Sequence, residues 1–468
     1  MQGSSGNAWA AEEFGQLEVA DRRLKPRILA MARGALERGG GRISEVFKVE
    51  SERQGAYDLL EGGRVSAESL ARAMSAACVE RCRGETHVFV PIDGSSIHVV
   101  DRAKRTDLGL VGTHTNNARG VQVISALAVT FAGTPLGLCA QTFFLRDTRR
   151  KKKTPSKYRA VETRETQHVV DTIRDVTERY ESSGCTPWIV IDRGGDATVI
   201  LDELVQRKAL FTVRASWNRR LKNERAPRYL RDALAKARVA FHDTVPVPKG
   251  VHRSARIARV TVRTAVVKLN VSHDWKAKRE NPTLNVVWVH EAGGPRGEKP
   301  LDWMLYTSAP IDTPEAIRLV IRSYKMRWRI EDFHKTWKSG YCHVEDTQLR
   351  SARAVKTWAT LLAAVAARIE RLRHLARNEP ESPASIELSD VEIKALKLLK
   401  LDQKKKTEVI GDGMPSIAVA VRWIADLGGY TGRSSGGPPG AITIGRGLEE
   451  LGPAARLLNA LRKSRKMR

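Results

Sequence analysis

The first 75 residues alternate between apolar stretches at helical spacing and short breaks. Apolar residues recur three and four positions apart within Trp9–Phe14, Leu24–Leu36 and Gln54–Leu60, which predicts short amphipathic helices. Three glycines, at 39–41, interrupt this pattern, and Ser66 begins one more helix. We therefore predict a helical N-terminal domain over residues 1–75.

The pattern changes to runs of β-branched and aromatic residues after residue 85. The strings THVFVPID (86–93) and TPWIVI (186–191) read as strands that each end at an aspartate. Residues 121–131 and 138–145 read as two antiparallel strands around a Gly/Pro turn, and 160–180 reads as a helix. Residues 211–310 are mostly β, in the strings FTVRAS, IARVTVRTAVVKLNV, LNVVWVHE and DWMLYTSAP.

Helical patterning returns after residue 311. Asp312 or Thr313 caps a helix with Pro314 in its first turn, and the pattern runs to Lys338 before Gly340. A long helix follows over about 354–377, then the linker NEPESPAS (378–385) and further helices over 386–468. The predicted class is mixed α/β, with a domain at 76–378 that carries a β-rich insertion at about 211–310, and a helical domain at 386–468.

Charge narrows the choice of partner. The 468 residues carry 80 Lys+Arg against 53 Asp+Glu, a net charge of +27. Residues 146–159 contribute +7 and residues 207–268 contribute +14, whereas the first 75 residues are neutral overall. Such concentrated charge favours a polyanion, with nucleic acid ahead of an anionic membrane.

Other features of the sequence exclude some classes of protein. We find no apolar run of membrane-spanning length, and no secretory signal at the N-terminus. The five cysteines are an odd number without CxxC spacing, which indicates a reducing compartment rather than a disulfide framework or a zinc site. The sequence therefore predicts a cytoplasmic protein that does not act at a membrane.

Two aspartates stand directly after apolar strands, Asp93 in VPIDGSS and Asp192 in VIDRGGD. An aspartate at a strand end commonly only caps a turn. Functional groups, however, gather at the carboxyl ends of strands in α/β sheets. The pair therefore predicts a site at one edge of the sheet.

A third acid lies on the helix that ends at Lys338. On an uninterrupted helix, Tyr324, Arg327, Glu331 and Lys338 fall within an arc of about 60°. Glu331 is then either half of a solvated Arg–Glu pair or a third metal ligand beside two phosphate-binding cations. Three carboxylates can hold two divalent ions for phosphoryl transfer, and Mg²⁺ prefers such ligands.

The same residues carry a resemblance to a known family. Their spacing, Y-x2-R-x3-E-x6-K, matches the YREK signature of DDE transposases in the branch of bacterial insertion sequence four. The wider string RWRIEDFHKTWKSG is similar to the transposon-five type of that family. Further similarity lies in QGAYDL, VIDRGGD and PLDWMLYTSAP, so that the resemblance covers almost the whole chain.

The resemblance implies a fold and a set of site residues. The fold is an RNase H-like core with a β-rich insertion between the second Asp and the Glu, flanked by a DNA-binding and a dimerisation domain. Asp93, Asp192 and Glu331 become the catalytic, metal-binding triad. Contacts to transposon-end DNA are implied for Tyr324, Arg327, Lys338, Trp303, Arg214 and Trp328, with Lys335 and His334 near the same helix face.

Other positions are less directly indicated. Arg23 and Arg27, at the start of an N-terminal helix, are candidates for reading DNA, although a solvated face explains them equally well. Relatives often carry a Glu in the loop after the second aspartate, where the present chain has Gly194-Gly195, whereas Asp196 is kept and is expected to be structural. His334 is as readily explained as a structural histidine.

The activity that the resemblance implies is cut-and-paste transposition. The enzyme would bind transposon ends, free a 3′-OH, form a hairpin, and join the end to target DNA as a homodimer in a synaptic complex. Two Mg²⁺ ions are expected, with Mn²⁺ able to substitute. The alternatives are an RNase H-like metal-dependent nuclease without strand transfer, and a non-catalytic DNA-binding regulator.

Overall fold

The computed structural model describes residues 5–100, 107–112, 118–146, 165–222, 226–250, 253–271, 281–295, 297–403, 410–432 and 437–466. The basic segment 146–159, apart from Arg146, lies outside these residues. The chain divides into two compact units. We call Met1–Glu85, Gly94–Thr154 and Arg329–Arg468 the helical unit, and Thr86–Asp93 and Pro155–Trp328 the sheet unit.

The helical unit begins with five helices. Four of them were predicted from the sequence, whereas the short helix at Ile43–Val46 was not. The five are α1 (Ser5–Phe14), α2 (Leu24–Glu37), α3 (Ile43–Val46), α4 (Glu50–Glu61) and α5 (Ala67–Arg81). Phe14, Ile28 and Leu60 are fully buried between them. Ser66 caps α5 by accepting a hydrogen bond from the Ser69 backbone, which fixes the start of the helix at the predicted residue.

Three strands belong wholly to the helical unit: β2 (Gly109–Leu110), β3 (Arg119–Val129) and β4 (Pro135–Phe144). β3 and β4 are antiparallel, from Gln122 opposite Phe144 to Val129 opposite Pro135. Helix α5 packs on β4, where the Ser75 hydroxyl donates to the Cys139 carbonyl oxygen. The predicted antiparallel pair at 121–145 is thus confirmed.

The C-terminal helices complete the helical unit. They are α10 (Trp328–Lys338, whose first residue belongs to the sheet unit), α11 (Ala352–Asn378), α12 (Asp390–Asp402), α13 (Ile417–Leu427) and α14 (Ala441–Lys466). α11 is buried along most of its length and is capped by the Ser351 hydroxyl, which accepts from Ala354. A capping box between Ser389 and Glu392 starts α12.

The sheet unit is built on one mixed sheet. Its strands, in spatial order, are β1 (His87–His98), β5 (Thr186–Ile191), β6 (Leu210–Arg214), β10 (Asp302–Thr307), β9 (Thr283–Glu291), β8 (Arg256–Lys268) and β7 (Val239–Val247). β1, β5 and β6 are parallel, and the remaining pairs are antiparallel. Its helices are α6 (Glu165–Tyr180), α7 (Thr198–Gln206), α8 (Leu230–Lys236) and α9 (Pro314–Met326). The mixed α/β class is confirmed.

Two predicted boundaries were wrong. β1 does not end at Asp93, because it continues to His98 with Ile97 buried, so that the strand passes from the sheet unit into the helical unit. The helix predicted from Pro314 to Lys338 is two helices. At Arg327 the backbone N–H bonds to the Tyr324 carbonyl, a tighter turn that separates α9 from α10.

No helix among the described residues is long and apolar enough to cross a membrane.

Candidate functional site

The register of two parallel strands places Asp93 beside Asp192. β1 and β5 pair from His87 opposite Thr186 to Ile92 opposite Ile191, and the next residue on each strand is an aspartate. Adjacent strands lie about 4.8 Å apart, and residues at the same level of parallel strands direct their side chains to the same face. Both aspartates are partly exposed. The register therefore brings the two aspartates to one level of the sheet, although only Asp192 follows the end of its strand.

The turn after Asp192 is tight. The Asp192 carboxylate accepts a 2.7 Å hydrogen bond from the Gly194 backbone, which caps a 3₁₀ turn over Arg193–Gly195. A side chain at Gly195 would meet the Ile191 side chain at 2.6 Å, so the glycine is needed for close packing here. Gly195 thus has a local explanation.

Asp196 has a different environment from Asp192. Its buried carboxylate accepts hydrogen bonds from the backbones of Ser216 (2.7 Å) and Trp217 (3.1 Å) and from Arg219 Nε (2.6 Å). These bonds tie the turn after β5 to the loop after β6. Asp196 therefore holds two loops together, which agrees with its expected structural role.

Four of the residues predicted to contact DNA lie next to one another in the sheet unit. The rings of Trp303 and Tyr324 meet edge to face, with centroids 5.1 Å apart. Arg214, at the end of β6, lies 3.4 Å from the Tyr324 hydroxyl through Nη1. The Arg327 guanidinium lies 6.0 Å from the centre of the Tyr324 ring. Tyr324 is only 2 % exposed, so it serves as the packing surface for the other three side chains.

Trp328 extends this aromatic and cationic group to the surface. The Arg327 guanidinium lies 4.9 Å from the centre of the Trp328 ring, within the range of a cation–π contact. Arg327 is 7 % exposed whereas Trp328 is 42 % exposed. The tryptophan therefore presents a large apolar face to solvent, which a nucleic-acid base can stack on.

The remaining YREK residues lie on α10 in the helical unit. Glu331 is partly exposed and lies in the first turn of this helix. Lys338, in the last turn, lies 3.4 Å from Glu345. Lys335 is exposed. His334 is buried against Phe333 and Trp337, and burial, with the nearby Lys338 charge, lowers its pKa to about 4.

The two N-terminal arginines differ in how they are held. Arg23 precedes α2 and is exposed, with its backbone N–H bonded to Asp21. Arg27 lies on α2 and its guanidinium crosses α4 at Gly55, where a Cβ atom would lie 1.6 Å from Nη2. Gly55 thus leaves the space that the Arg27 side chain occupies.

The basic segment 207–268 is partly neutralised. Arg207, Arg219, Arg231 and Arg256 each pair with an acid of the sheet unit. Other cations of this segment are exposed: Arg220, Lys222, Arg228, Lys236, Arg238, Lys249, Arg259 and Lys268. The net charge therefore overstates the number of cations that are open to a polyanion. The eight exposed cations named above are nevertheless open to one.

One cluster with metal-ligand chemistry was missed by the sequence argument. Asp332, Glu370 and His374 lie together in the helical unit, with one ligand atom of each within 4.8 Å of the others. Arg373 Nη1 lies 2.9 Å from Glu370 and 3.8 Å from Asp332, and Arg329 Nη1 lies 3.7 Å from Asp332. Two guanidinium groups already neutralise the two carboxylates, so we interpret this cluster as a partly buried ion-pair network. The i,i+4 spacing of Glu370 and His374 on α11 was its only sequence signal.

Comparison with protein families gives three matches in series along the chain. They are a transposase DNA-binding domain at residues 6–65, a transposase DDE domain at residues 156–367 and a transposase Tn5 dimerisation domain at residues 364–466. The DDE domain has an RNase H-like fold, which accounts for the mixed sheet, and it implies dependence on divalent metal. Asp192 and Glu331 lie inside its match, whereas Asp93 precedes it. The matches support a metal-dependent DNA transposase with DNA and a second copy of the chain as partners.

Proposed function

We propose that this chain is a cut-and-paste transposase of the YREK type, from the branch of insertion sequence four. The observation that carries the proposal is the register of β1 and β5, which brings Asp93 and Asp192 to one level of the sheet. Glu331, the YREK acid, is proposed as the third carboxylate of the triad.

The donor set suits hard divalent cations. Asp93 and Asp192 offer carboxylate oxygens from neighbouring strands, and both are partly open to solvent. Carboxylates and water are the ligands that Mg²⁺ prefers, and Mn²⁺ accepts the same ligands. Asp93, Asp192 and Glu331 would hold two such ions, whose chemistry when bound would be to lower the pKa of a water and to stabilise the leaving oxygen.

The cationic and aromatic side chains would hold the DNA end. Arg214, Arg327 and Lys338 are proposed to contact its phosphates, with Lys335 near them. Trp303 and Trp328 are proposed to fill or stack at the place of a flipped base, since unstacking a base costs a few kcal/mol that an aromatic partner offsets. Tyr324 would then keep Arg214, Arg327 and Trp303 in place, as it does in the free protein.

The proposed reaction has four phosphoryl transfers. Water attacks the phosphorus at the transposon end and the 3′-OH of the end leaves. That 3′-OH attacks the opposite strand, forming a hairpin and releasing flanking DNA. A second water opens the hairpin, and the regenerated 3′-OH attacks target DNA. Each step breaks one P–O bond and forms another, with the proton passing from nucleophile to leaving oxygen.

The domains take separate tasks in this proposal. Residues 1–75 would bind the transposon end, with Arg23 and Arg27 as readers, and residues 76–378 would catalyse the reaction. Residues 386–468 would pair two copies into a synaptic complex. We place the protein in the bacterial cytoplasm, at the nucleoid, because its proposed substrate is there.

The test combines the purified chain, Mg²⁺ and the terminal DNA of its own element. Asp93→Ala, Asp192→Ala and Glu331→Ala should each abolish cleavage while sparing end binding. Normal cleavage by any one of them would show that the triad is misassigned. Nicks without joined molecules would indicate a nuclease, and end binding without any cleavage by the wild type would indicate a regulator.

A further inference from the structure

Asp302, the first residue of β10, is bonded to three different elements of the sheet unit. Its backbone carbonyl accepts from Arg214 Nη2 at 2.8 Å. Its carboxylate accepts from Trp288 Nε1 of β9 at 2.7 Å and from Arg231 Nη2 of α8 at 2.8 Å. The start of β10 is therefore fixed from β6, from β9 and from α8.

Two proposed DNA contacts depend directly on this residue. Trp303 follows Asp302 in the chain and lies opposite Val289 in the sheet, so its backbone position is set by the same register. Arg214 is held by the Asp302 carbonyl on one side and by the Tyr324 hydroxyl on the other. Displacing Asp302 would thus move both an aromatic and a cationic contact.

The ion pair between Asp302 and Arg231 contributes little to the stability of the fold. Their side chains are 31 % and 43 % exposed, and a pair open to solvent to this extent contributes at most about 1 kcal/mol. Arg231 also lies over the Trp288 ring, 5.7 Å from its centre, and its backbone N–H donates to Asn218. The group is thus ordered well beyond what a solvated ion pair requires.

The negative charge of the Asp302 carboxylate also bears on its role. Burial raises the pKa of Asp302, but the hydrogen bonds from Arg231 and Trp288, together with the charges of Arg231 and His290, bring it below its usual value, so the carboxylate is ionised at neutral pH. An ionised acid beside phosphate-binding cations repels DNA and costs affinity. Charge attraction to DNA therefore cannot be its contribution.

We propose that Asp302 is a positioning residue that fixes Trp303 and Arg214 for the DNA end, with Arg231 as its counter-ion. The inference rests on the proposed function. Side chains that are already held in their bound geometry cost less entropy when the complex forms, and they keep the scissile phosphate aligned. Asp302 would act after binding, on the step in which the end is distorted for cleavage.

Asp302→Asn tests this, because asparagine keeps an oxygen for Trp288 and loses the ion pair with Arg231. End affinity and the single-turnover cleavage rate at saturating DNA are measured for both proteins. We expect affinity that is unchanged or tighter, because a negative charge is lost, and cleavage slower by about tenfold or more. Tighter binding with wild-type cleavage would overturn the proposal.

A second readout separates positioning from general damage. Abasic sites are placed one at a time near the end of the terminal DNA, so that at one position no base needs to be flipped. At that position the defect of Asp302→Asn should shrink to within about twofold, because the step that needs Trp303 is removed. An equal defect on every substrate would overturn the proposal.

Companion variants keep the test decisive. Arg231→Ala should slow cleavage to a similar extent but weaken end binding, and Arg231→Lys should recover part of the cleavage rate. These two variants test the same ion pair if Asp302→Asn folds poorly. The matched control is Asp243→Ala, which removes another acid of the sheet unit, one that lies 3.8 Å from Arg318, and should cleave normally. Absence of cleavage by the wild type would refute the proposed function, whereas normal cleavage by Asp302→Asn beside an active wild type would refute only the role of Asp302.

Discussion

Acids in the two units of this chain differ in the charges around them. In the helical unit, buried Glu370 lies beside partly exposed Asp332, and Arg373 contacts both carboxylates. In the sheet unit, Asp192 is partly exposed and its carboxylate accepts from the uncharged backbone of Gly194. Both regions contain closely spaced acids. The two groups of acids differ in the charges and hydrogen bonds around them.

The difference is one of charge compensation around the carboxylates. A buried carboxylate persists in a folded protein when cations and hydrogen bonds compensate its lost hydration. Such compensation leaves little negative charge for a metal ion. Asp196 makes the same point four residues from Asp192, because Arg219 and two backbone N–H groups bond to its carboxylate. Proximity of acids is thus a weaker guide than the charge balance around them.

The largest expected effect lies in the sheet unit. Asp192→Asn keeps the size of the side chain and its bond to Gly194, but removes the charge that a metal ion needs. Cleavage of terminal DNA should fall by about a thousandfold or more, equivalent to at least about 4 kcal/mol, with thermal stability close to wild type. Cleavage is measured in single turnover. Substantial cleavage by this variant would show that Asp192 has a structural role instead of a metal-binding one.

The next effect concerns protonation in the helical unit. His334 has a pKa of about 4 when folded, because burial disfavours its charged form, against 6.5 in the unfolded chain. The unfolded state therefore binds more protons between these values, and stability falls as pH drops from 6.5 to 4, by roughly 3 kcal/mol in total.

The measurement is the free energy of unfolding by denaturant across that pH window. Replacing the titrating ring in His334→Phe should flatten this part of the profile, even if the variant is less stable at neutral pH. An unchanged slope would show that His334 is not the group responsible.

A smaller effect is expected where a charge is compensated. Glu370→Gln leaves Arg373 without its 2.9 Å partner, and should lower the free energy of unfolding by about 2 kcal/mol, less than for a fully buried pair because Arg373 is partly exposed. Cleavage per folded molecule should stay within about twofold of wild type. A selective loss of cleavage at full stability would make this cluster functional and would erase the contrast with Asp192.

The smallest effect is expected at the surface. Lys338→Ala should weaken end complexes formed before cleavage and reduce the slope of log affinity against log salt by about one, as for one lost phosphate contact. Glu345→Gln, which removes the acid 3.4 Å from Lys338, should change affinity in the opposite direction. Complex formation and cleavage that are both unaffected by Lys338→Ala would exclude the lysine from the DNA contacts.

Much of the fold was predictable because its signals are local. The string TPWIVI became β5 within its predicted bounds, and the long helix after residue 350 begins at a serine cap and is buried by its apolar residues. The break at Arg327 was not predictable, because residues on both sides favour helix and no glycine or proline marks it. The continuation of β1 beyond Asp93 was missed because a polar Asp-Gly-Ser-Ser run resembles a turn.

The sequence by itself determined the class of elements, the position of Asp192 directly after β5 and the spacing of Tyr324, Arg327, Glu331 and Lys338, since these depend on residues near one another in the chain. The tertiary structure decided which charges are compensated. Arg231 lies 71 positions before Asp302, and Glu370 lies 38 positions after Asp332, so only folding brings them together. Short-range patterns encode secondary structure, whereas burial and charge balance, which separate a structural carboxylate from a reactive one, arise from long-range packing.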